Sequence, residues 1–250
     1  MKTIAFCNKK GGVGKTSSAL CFAAYLSILG KKVIGIDMDS QANFTMSSGG
    51  EENVQGILDF MKNAPLEDVF QYNDKYDFIG ADNRLSTAEN EFNPIGREFT
   101  LKRVINKLDN YDFCIIDTPS SMGFLTLNAL IAADEAIICC QAEAFSAHGF
   151  DEIITNINLI KENYNPRLSI AGVLITLFDK RANITKDMYN NFKNVTDSLN
   201  IKLFSTIRIN AKLREAQNEH KDIFTLFPKS NGAVDYVTVV NEYLEGEING

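Results

Sequence analysis

The sequence predicts an α/β fold in which a mostly parallel sheet is flanked by helices on both faces. The first observation is an alternation, along the 250 residues, of short β-branched apolar runs with longer segments of helical periodicity. The second is that these runs are apolar at successive positions, which indicates strands buried on both faces, as in a parallel sheet covered by helices. Because the connections are short, residues 1–250 are predicted to form a single domain.

Each predicted element rests on its own pattern. The predicted strands, in chain order, are KTIAFCN, KKVIGIDMD, YDFIGAD, YDFCIIDTP, DEAIICCQAE, LSIAGVLITLF and IKLFSTI. Helical spacing predicts helices over Lys15–Leu29, Phe99–Leu108, Gly123–Ala133, Gly149–Asn163 and Thr185–Leu199. The segment Gly49–Phe99 is the least regular, so insertions or mobile loops are expected there.

Composition narrows the function classes. The chain is 45% hydrophobic and 23% charged, as in globular proteins, and it has no apolar run near the ~18 residues of a membrane span. Its five cysteines are irregularly spaced without a C-x-x-C pair, which predicts reduced thiols and a cytoplasmic protein. A net charge of −7 argues against a uniformly basic coat for nucleic acid but allows a local basic patch.

The stretch NKKGGVGKTSS lies between the first predicted strand and the first predicted helix, which is the setting of a phosphate-binding loop. Gly11, Gly12 and Gly14 let the backbone curl so that its N–H groups face phosphate oxygens, and the helix amino terminus adds a favourable dipole. Lys15 would reach the β- and γ-phosphates, and the Thr16 hydroxyl would ligate Mg²⁺. The fold is therefore predicted to be P-loop NTPase-like.

Three aspartates end two later strands. Asp37 and Asp39, in GIDMDSQAN, alternate and so fall on the same side of a strand end, near the phosphates if the strands are neighbours. Asp117 ends FCIID, where it can hold Mg²⁺ through water in the manner of a Walker B aspartate. A strand-terminating turn is the alternative interpretation of Asp-Thr-Pro, and the upstream Lys15 and Thr16 favour the metal.

Several longer motifs resemble the ParA family of partition ATPases, within the deviant Walker A class that also holds MinD. The general Walker A pattern would have glycine at Lys9, and KKGGVGKT instead resembles the family's K-G-G-x-G-K-[ST], with Lys10 as its signature lysine. The resemblance extends over nearly the whole chain. The other motifs that carry it are DMDSQANFT, IIDTPSSMGFLTLNAL, QAEAFSAHGFDEI, ITLFDKRANIT and INAKLREAQNEHKDIF.

The resemblance implies an ATPase with ATP and Mg²⁺ as cofactors and assigns its site residues. ATP is sandwiched in a homodimer in which Lys10 crosses to the partner's phosphates, whereas Lys9 has no such role and is expected to be a solvated lysine. The implied catalytic residues are Lys10, Lys15 and Asp39. The implied nucleotide-binding residues are Lys10, Gly11, Gly12, Val13, Gly14, Lys15, Thr16, Ser17, Ile209 and Asn210. The expected metal-site residues are Thr16, Asp37 and Asp117.

The resemblance also implies partners. Only about eight residues precede the phosphate loop, so the chain resembles the short form of the family, which lacks an amino-terminal DNA-reading domain. Such proteins bind double-stranded DNA without sequence preference as ATP-bound dimers on the nucleoid, and a ParB-like centromere-binding protein stimulates their hydrolysis. The residues predicted to contact DNA are Arg181, Lys186, Arg208, Lys212 and Arg214.

Two rival functions share the phosphate loop. A MinD-like membrane-cycling ATPase would need a carboxyl-terminal amphipathic helix with a basic face, and the tail DYVTVVNEYLEGEING has no lysine or arginine, so no membrane partner is predicted. A small-molecule transferase or synthetase would use Lys10 to bind a substrate carboxylate or phosphate. The DSQAN and INAKLREA segments favour partition over this second alternative.

Overall fold

A seven-stranded sheet forms the centre of the molecule. The computed structural model describes residues 1–51, 54–141 and 147–249, with side chains for all of these except 147–148, 183–186 and 247–249. The strands are β1 (Lys2–Cys7), β2 (Val33–Asp37), β3 (Phe70–Tyr72), β4 (Asp77–Ile79), β5 (Phe113–Asp117), β6 (Glu135–Gln141) and β7 (Ser169–Thr176). Their order is β3-β4-β2-β5-β1-β6-β7, parallel throughout except for the β3–β4 edge pair.

Helices fill the connections between the strands. They are α1 (Lys15–Ile28), α2 (Asn43–Ser47), α3 (Ile57–Met61), α4 (Leu66–Val69), α5 (Thr100–Ile105), α6 (Phe124–Ala132), α7 (Ala147–Asn163), α8 (Asn183–Ser198), α9 (Ala211–Asn218), α10 (Ile223–Leu226) and α11 (Asn231–Asn249). Two 3₁₀ helices, Asn83–Glu91 and Arg97–Phe99, lie in the irregular region between β4 and α5. Within the described residues, no helix is long and apolar enough to cross a membrane.

The sheet is buried on both faces, as the apolar runs predicted. Successive residues of β1 alternate between two hydrophobic clusters: Ile4 and Phe6 belong to one, Ala5 and Cys7 to the other. The first cluster includes α1 and α11, and the second includes α5, α6 and α7. This arrangement confirms the predicted α/β class with helices on both faces.

One predicted strand is not regular in the structure. IKLFSTI runs beside β7 but forms only isolated bridges, such as Val173 with Leu203. The ladder is interrupted by one extra residue in this segment: the N–H groups of Phe204 and Ile207, three positions apart, donate to the carbonyls of Val173 and Ile175, which are two positions apart on β7. The short edge strand β3 was not predicted, and it lies in the Gly49–Phe99 segment that was expected to be irregular.

The sheet topology places the phosphate loop at a crevice. From β1 the chain crosses through α1 to β2 on one side, whereas β6 pairs with β1 on the other side. In open α/β sheets, ligands bind outside the carboxyl ends of the strands where the order reverses. The strand β5 lies between β1 and β2, so Asp117 is in register with both Phe6 and Asp37.

Candidate functional site

The turn between β1 and α1 has the geometry of an anion-binding loop. Gly12 and Gly14 have φ angles of 74° and 78°, in the left-handed region that glycine adopts most easily. Gly14 precedes α1 without offering a side-chain cap. Among the described residues, none accepts a hydrogen bond from the backbone N–H groups of Gly11 to Ser17. The loop therefore presents a concentrated set of free donors at a helix amino terminus, which favours phosphate binding.

Lys15 and Thr16, the two side chains expected to act on the phosphates and the metal, line the cleft above this loop. The Lys15 side chain is only 6% exposed, and its amino group donates to the Lys10 carbonyl at 3.2 Å. One long hydrogen bond to a carbonyl leaves two ammonium protons for other acceptors. The structure thus brings a buried cation to the loop, where the sequence predicted it.

Two lysines precede the first glycine of the loop, and their side chains differ in their contacts. The Lys9 amino group contacts the Glu152 carboxylate of α7 at 2.7 Å, so Lys9 is not the purely solvated lysine that the sequence suggested. Lys10 is exposed, and no described residue bonds to its side chain. Of the pair, Lys10 is the cation left available to an acceptor outside its own chain.

Asp37 orders the loop that follows β2. Its carboxylate accepts hydrogen bonds from the Asp39 N–H at 2.9 Å and from the Thr45 N–H and hydroxyl at 2.9 and 2.8 Å. Burial raises the pKa of Asp37 to about 6, and these hydrogen bonds oppose the rise. The loop is held by a carboxylate whose acceptor positions are largely occupied.

Asp39 lies half-buried in the loop beyond β2 and lines the same cleft as the phosphate loop. One of its carboxylate oxygens accepts a hydrogen bond from the Gln41 N–H at 3.0 Å. The sequence placed Asp39 near the phosphates on condition that β1 and β2 were neighbours. The intervening strand β5 does not prevent this, because the loop after β2 extends back to the cleft.

Asp117 is the most unusual group of the site. Its side chain is fully buried, and neither carboxylate oxygen has a hydrogen-bond partner among the described residues. Burial, reinforced by the neighbouring Asp37 carboxylate, raises the pKa of Asp117 well above its ordinary value, while Thr16 and Lys15 act in the opposite direction. A buried carboxylate without a partner is costly unless it is paired or coordinates a metal. Asp117 beside Thr16 therefore fits a hard cation with oxygen ligands such as Mg²⁺.

Two of the residues predicted to bind the nucleotide, Ile209 and Asn210, lie outside the phosphate cleft. Ile209 is 58% exposed, and Asn210 caps α9 by accepting a hydrogen bond from the Lys212 N–H at 2.8 Å. Neither residue lines the cleft of the phosphate loop. Their assignment to the nucleotide stays a prediction.

The described side chains among the five residues predicted to contact DNA have different surroundings, and the assignment of all five to DNA stays a prediction. Arg208 makes a two-pronged ion pair with Asp235 at 2.6–3.1 Å. Lys212 pairs with Glu215, and its amino group lies 4.6 Å from the centre of the Phe227 ring.

The remaining candidates differ again in their settings. Arg181 has a side chain that is 91% exposed, and its one ion pair with a described residue is with Asp179, at 3.1 Å. Arg214 lines the phosphate cleft and forms no ion pair with a described residue. The side chain of Lys186 is outside the described residues.

Sequence reasoning missed the contribution of α9 to the cleft. Besides Arg214, it brings Gln217, whose side-chain amide donates to the Ser17 hydroxyl at 2.9 Å. The adjoining His220 contacts the Met46 carbonyl through its ring nitrogen. These contacts link residues up to 200 positions apart, so no local pattern could have found them.

The fold and the site together define a P-loop nucleotide hydrolase. A family profile described as an AAA domain matches residues 1–170. The chain is 35% identical over 249 residues to the sporulation initiation inhibitor protein Soj of Bacillus subtilis, spanning 96% of this chain and 97% of that protein. It is 32% identical over 255 residues to the chromosome-partitioning ATPase Soj of Treponema pallidum, spanning 96% of each.

Two solved structures share the fold of this chain. Cobyrinic acid a,c-diamide synthase from Mycobacterium smegmatis, with bound ADP and magnesium, has a TM-score of 0.86 and 28% identity and covers 100% of this chain and 96% of its own. A protein described as a plasmid partition protein of Borrelia burgdorferi B31, bound to AMPPNP, has a TM-score of 0.80 and 26% identity and covers 98% of both chains. The chain belongs to the Soj/ParA family of partition ATPases.

Proposed function

We propose that this chain binds ATP with Mg²⁺, pairs with a second copy around the nucleotide, and in that state binds double-stranded DNA without sequence preference. Hydrolysis, stimulated by a ParB-like centromere-binding protein, then releases it from DNA. In this cycle the ATP-bound protein resides on the nucleoid. Relatives at 32–33% identity that are named for chromosome partitioning support the cellular role. The following features of the site support each step.

The observation that carries the proposal is the buried, unpartnered carboxylate of Asp117 beside the phosphate loop. Thr16 and Asp117 would hold Mg²⁺, which would supply positive charge to the β- and γ-phosphates. Asp37 would support the ion indirectly, because its oxygens already fix the loop that carries Asp39. Lys15 and the free N–H groups of the loop bind the phosphates themselves.

Hydrolysis depends on a positioned water and on charge stabilisation. One oxygen of Asp39 accepts the Gln41 N–H, and no described residue bonds to the second oxygen, which would orient a water molecule at the cleft. Lys10 is exposed, and none of the residues that the structure describes bonds to its side chain. Across a dimer it supplies a second cation to the transferred phosphoryl group, as an arginine finger does.

DNA binding needs a cationic face on a chain of net charge −7. Arg181 is the best-placed candidate, because an exposed ion pair to a nearby Asp179 is worth little and can be exchanged for a phosphate. Arg208 would first have to leave Asp235. Pairing two copies would double the number of cations that can face DNA and raise the affinity by avidity, which would make DNA binding depend on ATP.

An equilibrium titration of a random-sequence duplex tests this function. With ATP, wild-type protein should bind, lose affinity steeply with salt, and ignore base sequence, whereas with ADP it should bind poorly. Arg181→Glu should weaken binding at least about tenfold at low salt, while Lys161→Glu on α7 makes the same charge change at a different exposed site and should not. Wild-type protein that ignores DNA at low salt with ATP would contradict the proposal.

The synthase among the solved structures gives a specific reason to test a second function, ATP-dependent activation of a small carboxylate substrate. Such an enzyme would hydrolyse ATP only with its organic substrate and would bind no DNA. ATP turnover that rises with duplex DNA and a centromere-binding partner, without any organic substrate, separates the two functions.

A further inference from the structure

Two side chains from neighbouring strand ends hold the outer side of the phosphate loop. The side-chain amide of Gln141, at the end of β6, donates to the Gly12 carbonyl at 2.6 Å. The hydroxyl of Thr176, at the end of β7, donates to the Val13 carbonyl at 2.8 Å and lies 3.3 Å from the Cys140 carbonyl. Consecutive carbonyls of the loop are thus both turned toward the β6–β7 side.

The orientation of a carbonyl fixes the orientation of the N–H in the same peptide. A trans peptide is planar, so its C=O and N–H point in opposite directions. Since Gln141 and Thr176 hold the carbonyls of Gly12 and Val13, the N–H groups of Val13 and Gly14 must point away from them. These are two of the N–H groups that no described residue accepts, and both residues line the phosphate cleft.

The glycines make such a restraint necessary. Gly12 and Gly14 sit at positive φ, and glycine crosses between conformations at little steric cost. A rotated peptide at either position would aim a carbonyl oxygen at a phosphate oxygen. Thr176 also packs against the loop: a Cβ on Gly14 would lie 3.2 Å from its hydroxyl oxygen and its methyl carbon.

We infer that Gln141 and Thr176 are positioning residues for the nucleotide: they hold two loop peptides with their N–H groups toward the phosphates. Neither side chain needs to touch the ligand. The ligand class is a nucleoside di- or triphosphate, so the inference rests on the proposed function and deepens it. It also assigns a role to Gln141, the first residue of the motif QAEAFSAHGFDEI, for which the sequence predicted no chemistry.

Substitutions that separate shape from hydrogen bonding test the inference. Thr176→Val keeps the side-chain volume, removes the hydroxyl, and places a methyl group against the Val13 carbonyl. Thr176→Ser keeps the hydroxyl. Thr196→Val is a matched control, because Thr196 is also fully buried and donates to a carbonyl, that of Phe192 at 2.9 Å, within α8.

The measurement is the Kd for ADP, which avoids any contribution from ATP-driven pairing, alongside unfolding in urea without nucleotide. Thr176→Val should weaken ADP binding about tenfold, the factor that corresponds to one lost hydrogen bond, and Thr176→Ser should stay within about twofold of wild type. Thr196→Val should lower stability as Thr176→Val does and leave the Kd unchanged. Gln141→Leu, at a half-buried position, should also weaken ADP binding about tenfold.

The inference is overturned if Thr176→Val and Gln141→Leu both bind ADP as wild type does. It is also overturned if Thr196→Val loses as much affinity as Thr176→Val, since a general loss of stability would then explain both. Wild-type protein without affinity for ADP would instead refute the proposed function, so the two failures are distinguishable.

Discussion

Replacing Asp117 by asparagine should make the nucleotide-free protein more stable and make it unable to use Mg²⁺. The wild-type carboxylate is fully buried, has no hydrogen-bond partner among the described residues, and lies near the Asp37 carboxylate. Asparagine has the same size without the charge, so Asp117→Asn removes the like-charge contact and most of the burial cost. Leaving a buried polar group unpaired costs about 1–3 kcal/mol, and more for a charged one, so we expect a gain of about 1–2 kcal/mol in unfolding free energy.

Asp37→Asn is the matched control on the adjacent strand, in register with Asp117. Its carboxylate accepts from the Asp39 N–H and from the Thr45 N–H and hydroxyl, and an amide in its place cannot accept all three. We therefore expect Asp37→Asn to lose about 1–3 kcal/mol of stability. Two similar substitutions at neighbouring aspartates should have opposite signs.

Urea unfolding with and without ligand measures both effects. At Mg·ADP about 100 times its Kd, wild-type protein should gain about 2.7 kcal/mol, and chelating the metal with EDTA should reduce that gain. The Asp117→Asn protein should gain less stability from ADP than wild type does, and its gain should be the same with and without EDTA. An Asp117→Asn protein that is less stable than wild type without nucleotide, or that keeps its full response to Mg²⁺, would refute the metal-site interpretation.

Three further substitutions or reagents test other parts of the site. Lys15→Ala should raise the Kd for ADP about 10- to 100-fold, because a charge-assisted bond to the β-phosphate is lost, and an affinity within a few-fold of wild type by calorimetry would argue against its role. Asp39→Ala should still bind ATP and pair, but its steady-state hydrolysis should fall about 10²- to 10⁴-fold; failure to pair with ATP would make Asp39 structural. Burial raises the pKa values of Cys7 and Cys139 to about 12, so these thiols should resist iodoacetamide at pH 8 in the native protein and react once it is unfolded. Rapid labelling of the native protein at these residues would show that the thiols are exposed.

The parts of the site that sequence reasoning predicted are those set by local patterns. The strand, glycine turn and helix that form the loop are consecutive, and Lys15 stands where that pattern places it. Asp117 is the last residue of β5, and the apolar residues before it predict this strand from the sequence alone. The restraints from Gln141 and Thr176 come from 129 and 163 residues away, and they depend on strand order, which the sequence does not specify.

The surroundings of the predicted DNA-contacting residues also could not be read from the sequence. Lys212 and Arg214 are two positions apart, and side chains two apart on a helix do not share a face. In the structure Lys212 lies over the Phe227 ring, whereas Arg214 lines the phosphate cleft. Arg208 is occupied by Asp235 of α11, an acidic partner that charge counting along the chain could not foresee.

The central claim is that ATP joins two copies through Lys10, and light scattering after size exclusion tests it most directly. With ATP, the mass of wild-type protein should double, and with ADP it should not. Lys10→Ala should stay monomeric with ATP while keeping its nucleotide affinity. Lys9→Ala, which removes only an exposed ion pair with Glu152, should pair as wild type does. A wild-type protein that stays monomeric with ATP, or a Lys10→Ala protein that pairs and hydrolyses normally, would contradict the account.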